Sequence, residues 1–267
     1  AGVPTVWQML LGHMDANGLK LSTMKRTTIG GSACPPAMLD AFRDKYGVTV
    51  NHAWGMTEMS PLGTYGTLKV KHMEADWPTQ RAVLLKQGRA VFGVDMKIVD
   101  DAGNELPRDG KAYGNLMVRG PWIIGQYFRE PAKILDTEGY FHTGDVATLD
   151  PDGYMQITDR SKDVIKSGGE WISSIDIENI AMAHPTVLMA ACIGLPHPKW
   201  DERPVLCVVK KPDATPSKEE LLKFYEGKIA KWQVPDDVLF VDAIPLGATG
   251  KMQKSKLREQ FKEYKFA

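Results

Sequence analysis

Five ionised side chains feeding into two consecutive glycines constrain this chain more than any other feature. They lie in Thr158-Asp159-Arg160-Ser161-Lys162-Asp163-Val164-Ile165-Lys166-Ser167-Gly168-Gly169-Glu170-Trp171-Ile172-Ser173-Ser174. The charges between Asp159 and Lys166 cannot all be buried without partners. Gly168-Gly169 allows backbone conformations and a close ligand approach that other residues resist. With apolar, strand-like flanks, the stretch reads as a hinge followed by a ligand-facing loop.

The 267 residues are enough for about two domains. Lys+Arg 33 balances Asp+Glu 33, so no overall field recruits nucleic acid or an anionic membrane, and small ligands are the expected partners. Cys34, Cys192 and Cys207 have no metal-type spacing, and the last two sit in apolar runs; they read as buried free thiols, which suits a reducing cytoplasm. No apolar run approaches the ~20 residues of a spanning helix. Peripheral membrane contact and a homodimer stay open.

The pattern of elements changes along the chain. Residues 37–46 read as a helix after Pro35-Pro36, and 48–51 as a strand running into a loop at Trp54. In strand–loop–helix units, ligands gather at the carboxyl ends of the strands. From Gly88 to about Tyr154, short alternating segments at 95–99, 115–119, 146–150 and 154–159 are separated by Asp-Gly turns, which argues for a small antiparallel sheet or barrel. After Arg160 the order becomes hairpin, helix (174–184), strands (188–195 and 205–209) and helix (217–231), as expected of a separate α+β domain.

Three blocks in order carry a family resemblance: His52-Ala53-Trp54-Gly55-Met56-Thr57-Glu58-Met59-Ser60, Asp159 to Ser173, and Pro245-Leu246-Gly247-Ala248-Thr249-Gly250-Lys251. They resemble the nucleotide motif, the hinge motif and the terminal lysine loop of the adenylate-forming superfamily, which includes acyl-CoA synthetases, luciferases and peptide-synthetase adenylation domains. The form of the second block, with Gly2 to Trp7 and His197-Pro198-Lys199-Trp200, is most similar to bacterial fatty-acyl-CoA synthetases. The resemblance implies an adenylate-forming fold, here incomplete. Residues 1–159 are expected to be the end of the large AMP-binding domain, α/β over about 1–87 and β-rich, barrel-like, over about 88–159. Residues 160–267 are expected to be a small mobile α+β domain with its hinge at 160–162. The family's Ser/Thr/Gly-rich phosphate loop does not occur in the chain, so the resemblance implies the carboxyl-terminal half and a missing amino-terminal half.

The implied reaction joins a carboxylate to the α-phosphate of ATP, expels pyrophosphate, and passes the acyl-adenylate to the thiol of coenzyme A. Lys251 is the expected catalyst of adenylation, a cation able to stabilise charge building on the α-phosphate. Thr57 would donate to that phosphate, and Glu58 would help hold Mg2+, a hard cation that takes few carboxylates beside phosphate oxygens. Trp54 would stack on adenine where the family more often has tyrosine, between Gly55-Met56 and the Gly31-Ser32-Ala33 segment along the base. Asp145 would accept the ribose hydroxyls, with Arg160 adding a contact to the ribose. For the second step Lys162 is the expected pivot, and Gly168, Gly169, Glu170 and Trp171, supported by Lys166, would line the coenzyme A path. Taken singly, each has a plainer reading: a core tryptophan, a solvated glutamate, a turn-capping aspartate, a solvated lysine. Glu178 reads as a structural partner.

The leading expectation is an ATP-dependent, AMP-forming medium- or long-chain fatty-acid–CoA ligase. An aryl or other small-acid CoA ligase and a non-catalytic nucleotide-binding module remain as alternatives.

Overall fold

The computed structural model describes residues 1–247 and 252–266, and the chain divides into two compact units, Ala1–Ile157 and Thr158–Ala267. The first unit begins with α1 (Pro4–Ala16), β1 (Arg26–Gly30), α2 (Pro36–Tyr46) and β2 (Thr49–Gly55). Pro36 starts α2, where its fixed φ costs nothing and no N–H is missed. Gly47, left-handed at φ 63°, ends the helix by donating its N–H to the Arg43 carbonyl at 3.0 Å. Met38, Leu39 and Phe42 of α2 pack with Ile29 of β1, Val50 of β2 and Val48 just before it. β1 and β2 are parallel, with Gly30 opposite Ala53, so the segments that follow both strands leave from the same edge of the sheet.

The chain continues through β3 (Leu62–Tyr65), α3 (Val70–Met73), α4 (Trp77–Leu84), β4 (Gly88–Ala90), β5 (Asp95–Val99), β6 (Tyr113–Arg119), β7 (Phe141–Leu149) and β8 (Tyr154–Arg160). These strands form one eight-stranded sheet in the order β1-β2-β3-β4-β8-β7-β6-β5. This corrects the expected barrel-like segment: the β-rich region does not close on itself. β8 pairs antiparallel with β4, Gly88 opposite Met155 and Arg89 opposite Tyr154, so the later strands extend the sheet begun by β1 and β2. Alternation in sequence reports strands and faces, whereas closure depends on pairing between strands distant in the chain. A second core of Met96, Ile98, Leu116, Val118, Leu149 and Met155 lies under this extension.

In the second unit, β9 (Ile165–Ser167) and β10 (Glu170–Ile172) form a hairpin turned by Gly168 and Gly169 at φ 60° and 88°. After α5 (Ser174–Met182) come β11 (Val187–His197), β12 (Asp201–Lys210), α6 (Lys218–Lys223), β13 (Asp237–Phe240) and α7 (Lys254–Gln260). The sheet order is β10-β9-β12-β11, with β13 parallel to β12. Ala190 and Cys192 of β11 face a core with Ile177, Leu221 and Tyr225, while Ala191, Ile193 and Leu195 face another with Ile244 and Leu257. Both faces of these strands are covered, which is why they read as continuous apolar runs. The helix expected over 217–231 ends at Lys223: Gly227 turns left-handed at φ 72°, and Tyr225 is buried with its hydroxyl on the Ile177 carbonyl, 2.9 Å away. Cys34, Cys192 and Cys207 are free and buried.

Candidate active site

In the first unit the candidate residues collect where β1 and β2 end. Gly31 is left-handed at φ 82° and exposed, as are Ser32 and Ala33. A Cβ on Gly30 would lie 3.0 Å from the Ala53 carbonyl, so glycine lets the strands close at this edge. His52, buried on β2, has Nδ1 3.3 Å from the Leu85 carbonyl and Nε2 3.4 Å from the Ser32 carbonyl. Burial holds its pKa below the ordinary histidine value. A neutral ring has one N–H, so it donates to one of these carbonyls at a time.

Trp54 is buried, and its Nε1 donates to Asp145 Oδ2 at 2.9 Å, which joins two motifs 91 residues apart. Gly63 leaves room for the indole, since a Cβ there would fall 2.6 Å from it. Asp145 lies on β7 beyond Gly144 at φ 76°, opposite a register irregularity in β6 between Asn115 and Met117. Its N–H is accepted by Thr143 Oγ1 at 3.1 Å, and that hydroxyl donates to the Leu116 carbonyl at 2.9 Å.

After Gly55, the extended Met56 leads into a single helical turn, Thr57–Met59. Met59 is fully buried, whereas Thr57 is exposed and Glu58 half-buried. The Tyr127 hydroxyl donates to Glu58 Oε1 at 2.8 Å, which raises the Tyr127 pKa. One half-buried carboxylate beside an exposed hydroxyl suits Mg2+, which takes most of its ligands from water and phosphate oxygens. Among the described residues, no group of three or more His, Cys, Asp or Glu side chains forms a metal cage.

In the second unit Arg160 ends β8 and Lys162 is exposed in the turn that follows, where Asp163 and Val164 donate their N–H groups to the Arg160 carbonyl at 2.8 and 2.9 Å. The Lys166 N–H donates to Glu202 Oε2 at 3.0 Å, and its ammonium lies 5.3 Å from the centre of the Trp171 ring. The Gly168 N–H donates to the Trp200 carbonyl at 2.8 Å, and a Cβ there would meet the Trp200 ring at 2.9 Å. Glu170 is exposed and Trp171 half-buried. Lys251 lies outside the described residues.

Glu178, expected as a structural partner, pairs with Lys254 at 2.7 Å; what the sequence does not disclose is that the pair belongs to a buried charge cluster with Asp159, Ser174 lying between them. Burial pushes the Asp159 and Glu178 carboxyls above their ordinary range against the pull of Lys254. For Lys254, burial lowers the pKa, but the two carboxylates outweigh it and hold the ammonium above its ordinary value. Ser174, Ile177, Glu178 and Ala181 form the inward stripe of α5. A charge on such a stripe needs a buried partner, and that was the available signal.

The model described as "AMP-binding enzyme" matches residues 1–128, and "AMP-binding enzyme C-terminal domain" matches residues 176–251. The chain is 60% identical over 98% of its length to a 3-methylmercaptopropionyl-CoA ligase of Ruegeria lacuscaerulensis, covering 49% of that protein. It is 48% identical over 97% of its length to a medium-chain-fatty-acid–CoA ligase of Ectopseudomonas oleovorans, covering 48% of that protein. Among solved structures, ATP-bound MatB from Rhodopseudomonas palustris matches with a TM-score of 0.81 at 30% identity, over 99% of this chain and 51% of that one. The chain therefore spans about half the length of the curated relatives it matches. With both family models and these relatives in agreement, the chain belongs to the AMP-binding, adenylate-forming enzyme family.

Proposed function

We propose that this chain is part of an ATP-dependent, AMP-forming carboxylate–CoA ligase. The observation that carries the reading is the 2.9 Å bond from Trp54 to Asp145, because it sets an aromatic nucleotide residue beside a carboxylate suited to ribose. Asp145 is the carboxylate assigned to the ribose hydroxyls, with Arg160 adding a contact to the ribose. Gly31 to Ala33, following the parallel neighbour of the Trp54 strand, are assigned to the base. Thr57 is assigned to the α-phosphate. Bound Mg2+ would neutralise phosphate charge, and Glu58, oriented by Tyr127, is the residue assigned to hold it. Lys251 is assigned to adenylation. Lys162 is assigned as the pivot for thioester formation, with Lys166 and Gly168 to Trp171 lining the path of coenzyme A.

For the acid we place a short aliphatic substrate first. The relative named for 3-methylmercaptopropionyl-CoA is 60% identical and the one named for medium-chain fatty acids 48%, which moves the emphasis from the medium- or long-chain fatty acid implied by the resemblance. A panel of carboxylates with the full-length protein, ATP, Mg2+ and coenzyme A tests both points. A short-acid pocket predicts a kcat/KM maximum at 3-methylmercaptopropionate or an acid of similar length. A steady rise with each added methylene would instead assign a deep fatty-acid tunnel. No thioester with any acid would refute the ligase reading.

A further inference from the structure

Two sets of ion pairs in the second unit tie the 159–163 segment to one face of α7. Asp159, Glu178 and Lys254 are 1%, 6% and 8% exposed. Lys254 Nζ lies 2.7 Å from Glu178 Oε1 and also donates to Ser174 Oγ. Ser174 gives both its hydroxyl and its backbone N–H to Asp159 Oδ2, each at 2.6 Å. Glu178 Oε1 also accepts the Cys192 N–H at 2.8 Å, and Asp159 Oδ1 accepts the Arg160 N–H at 2.8 Å. One turn further along α7, Arg258 pairs with Asp163 at 2.9 Å.

Just before α7 the backbone is clamped as well. The Gln253 N–H donates to the Pro245 carbonyl at 2.8 Å, and Leu246 bridges to Met252. This stem brackets the sequence position of Lys251, three residues before Lys254. A buried cluster of two carboxylates and one ammonium is a poor way to gain stability, since well-packed apolar side chains of similar volume often do as well or better. What such a cluster supplies is register: each charge has one low-energy position, and α7 cannot slide without leaving a buried charge unpaired.

We propose that Lys254 and Glu178 are positioning residues for adenylation. By fixing α7 and its stem against the strand that leads into the hinge, they hold residues 252–258 in one register with residues 159–163. The proposal rests on the assignment of Lys251 to adenylation, and its test separates the two.

In the full-length protein, Glu178→Gln and Lys254→Met are compared with wild type and with Lys254→Arg. Carboxylate-dependent ATP–pyrophosphate exchange should fall roughly 10²-fold in kcat, the scale of a small misplacement of a catalytic group, with KM for ATP unchanged. Thioester formation from supplied acyl-adenylate should stay within a few-fold of wild type, and Lys254→Arg should recover most of the loss. Hydrogen exchange, read without any substrate, should quicken at residues 252–257 in both uncharged variants. If Lys254→Met does not fold, Glu178→Gln decides, because its amide oxygen can still accept the Cys192 N–H. Equal loss of both half-reactions, or wild-type kinetics with unchanged hydrogen exchange, would overturn the proposal. A wild type without pyrophosphate exchange would refute the ligase reading, and hydrogen exchange would then decide the clamp alone: faster in the variants upholds it, unchanged overturns it.

Discussion

Trp54 shows how far a single residue can be read from sequence. Its place before Gly55-Met56-Thr57-Glu58 pointed to a nucleotide contact through the ring face. The structure adds that the residue is buried and donates from its edge to Asp145, a partner 91 residues away that no local pattern discloses. Trp54→Phe keeps an aromatic ring but removes the donor. A hydrogen bond to a charged group is worth about 1.5–3 kcal/mol, so folding stability should fall by about that much in chemical denaturation. In an Asp145→Asn background the same substitution should cost much less, which a double-mutant cycle would measure. Gly55 is a steric case: a Cβ there would fall 1.9 Å from the Pro61 carbonyl oxygen. Gly55→Ala should therefore destabilise the protein by about 3 kcal/mol in chemical denaturation; an unchanged midpoint would show that this turn can relax.

Among the elements, those with local signals were legible. The Gly168-Gly169 hairpin, the helix starting at Pro36 and the strand Asp95–Val99 all announce themselves by turn residues, a proline or alternation. What sequence left dark were features made by distant pairing. The β4–β8 contact turns an expected barrel into an extension of one sheet, and Tyr225 docking on Ile177 accompanies the early end of α6. The buried cluster of β8, α5 and α7 belongs with these: the sequence marks Glu178 as a structural partner but does not disclose Lys254, far along the chain, as the other half of the pair.

The β5 strand offers a test of electrostatics at this scale. Asp95 accepts from the Tyr140 hydroxyl at 2.6 Å and pairs with Arg119 at 2.9 Å. The Tyr140 bond, opposed by partial burial and assisted by Arg119, holds its carboxyl below the ordinary value of 3.8. A depressed folded-state pKa gives stability that is present above the unfolded value and lost as pH falls through the folded one. Wild-type stability should thus fall more steeply below about pH 4 than that of Asp95→Asn. Parallel acid limbs in a thermal-melt series would contradict this.

At the scale of the molecule, two units carry different parts of the proposed chemistry: the residues assigned to base, phosphate and Mg2+, with Asp145 for the ribose, in Ala1–Ile157, and Arg160, the hinge, the coenzyme A residues and Lys251 in Thr158–Ala267. No helix among the described residues is long and apolar enough to cross a membrane. The family was legible from three motifs in order, and the acid was not, because specificity depends on the shape of a pocket rather than on a motif. In the proposed reading, adenylation works through Lys251. Its most direct test is carboxylate-dependent ATP–pyrophosphate exchange by the full-length protein, wild type against Lys251→Ala. Exchange should be present in wild type and fall roughly 10²- to 10³-fold in the variant, while supplied acyl-adenylate is still converted to thioester. Exchange that survives the substitution intact, or that is absent from folded wild type with every acid of the panel, would contradict the account.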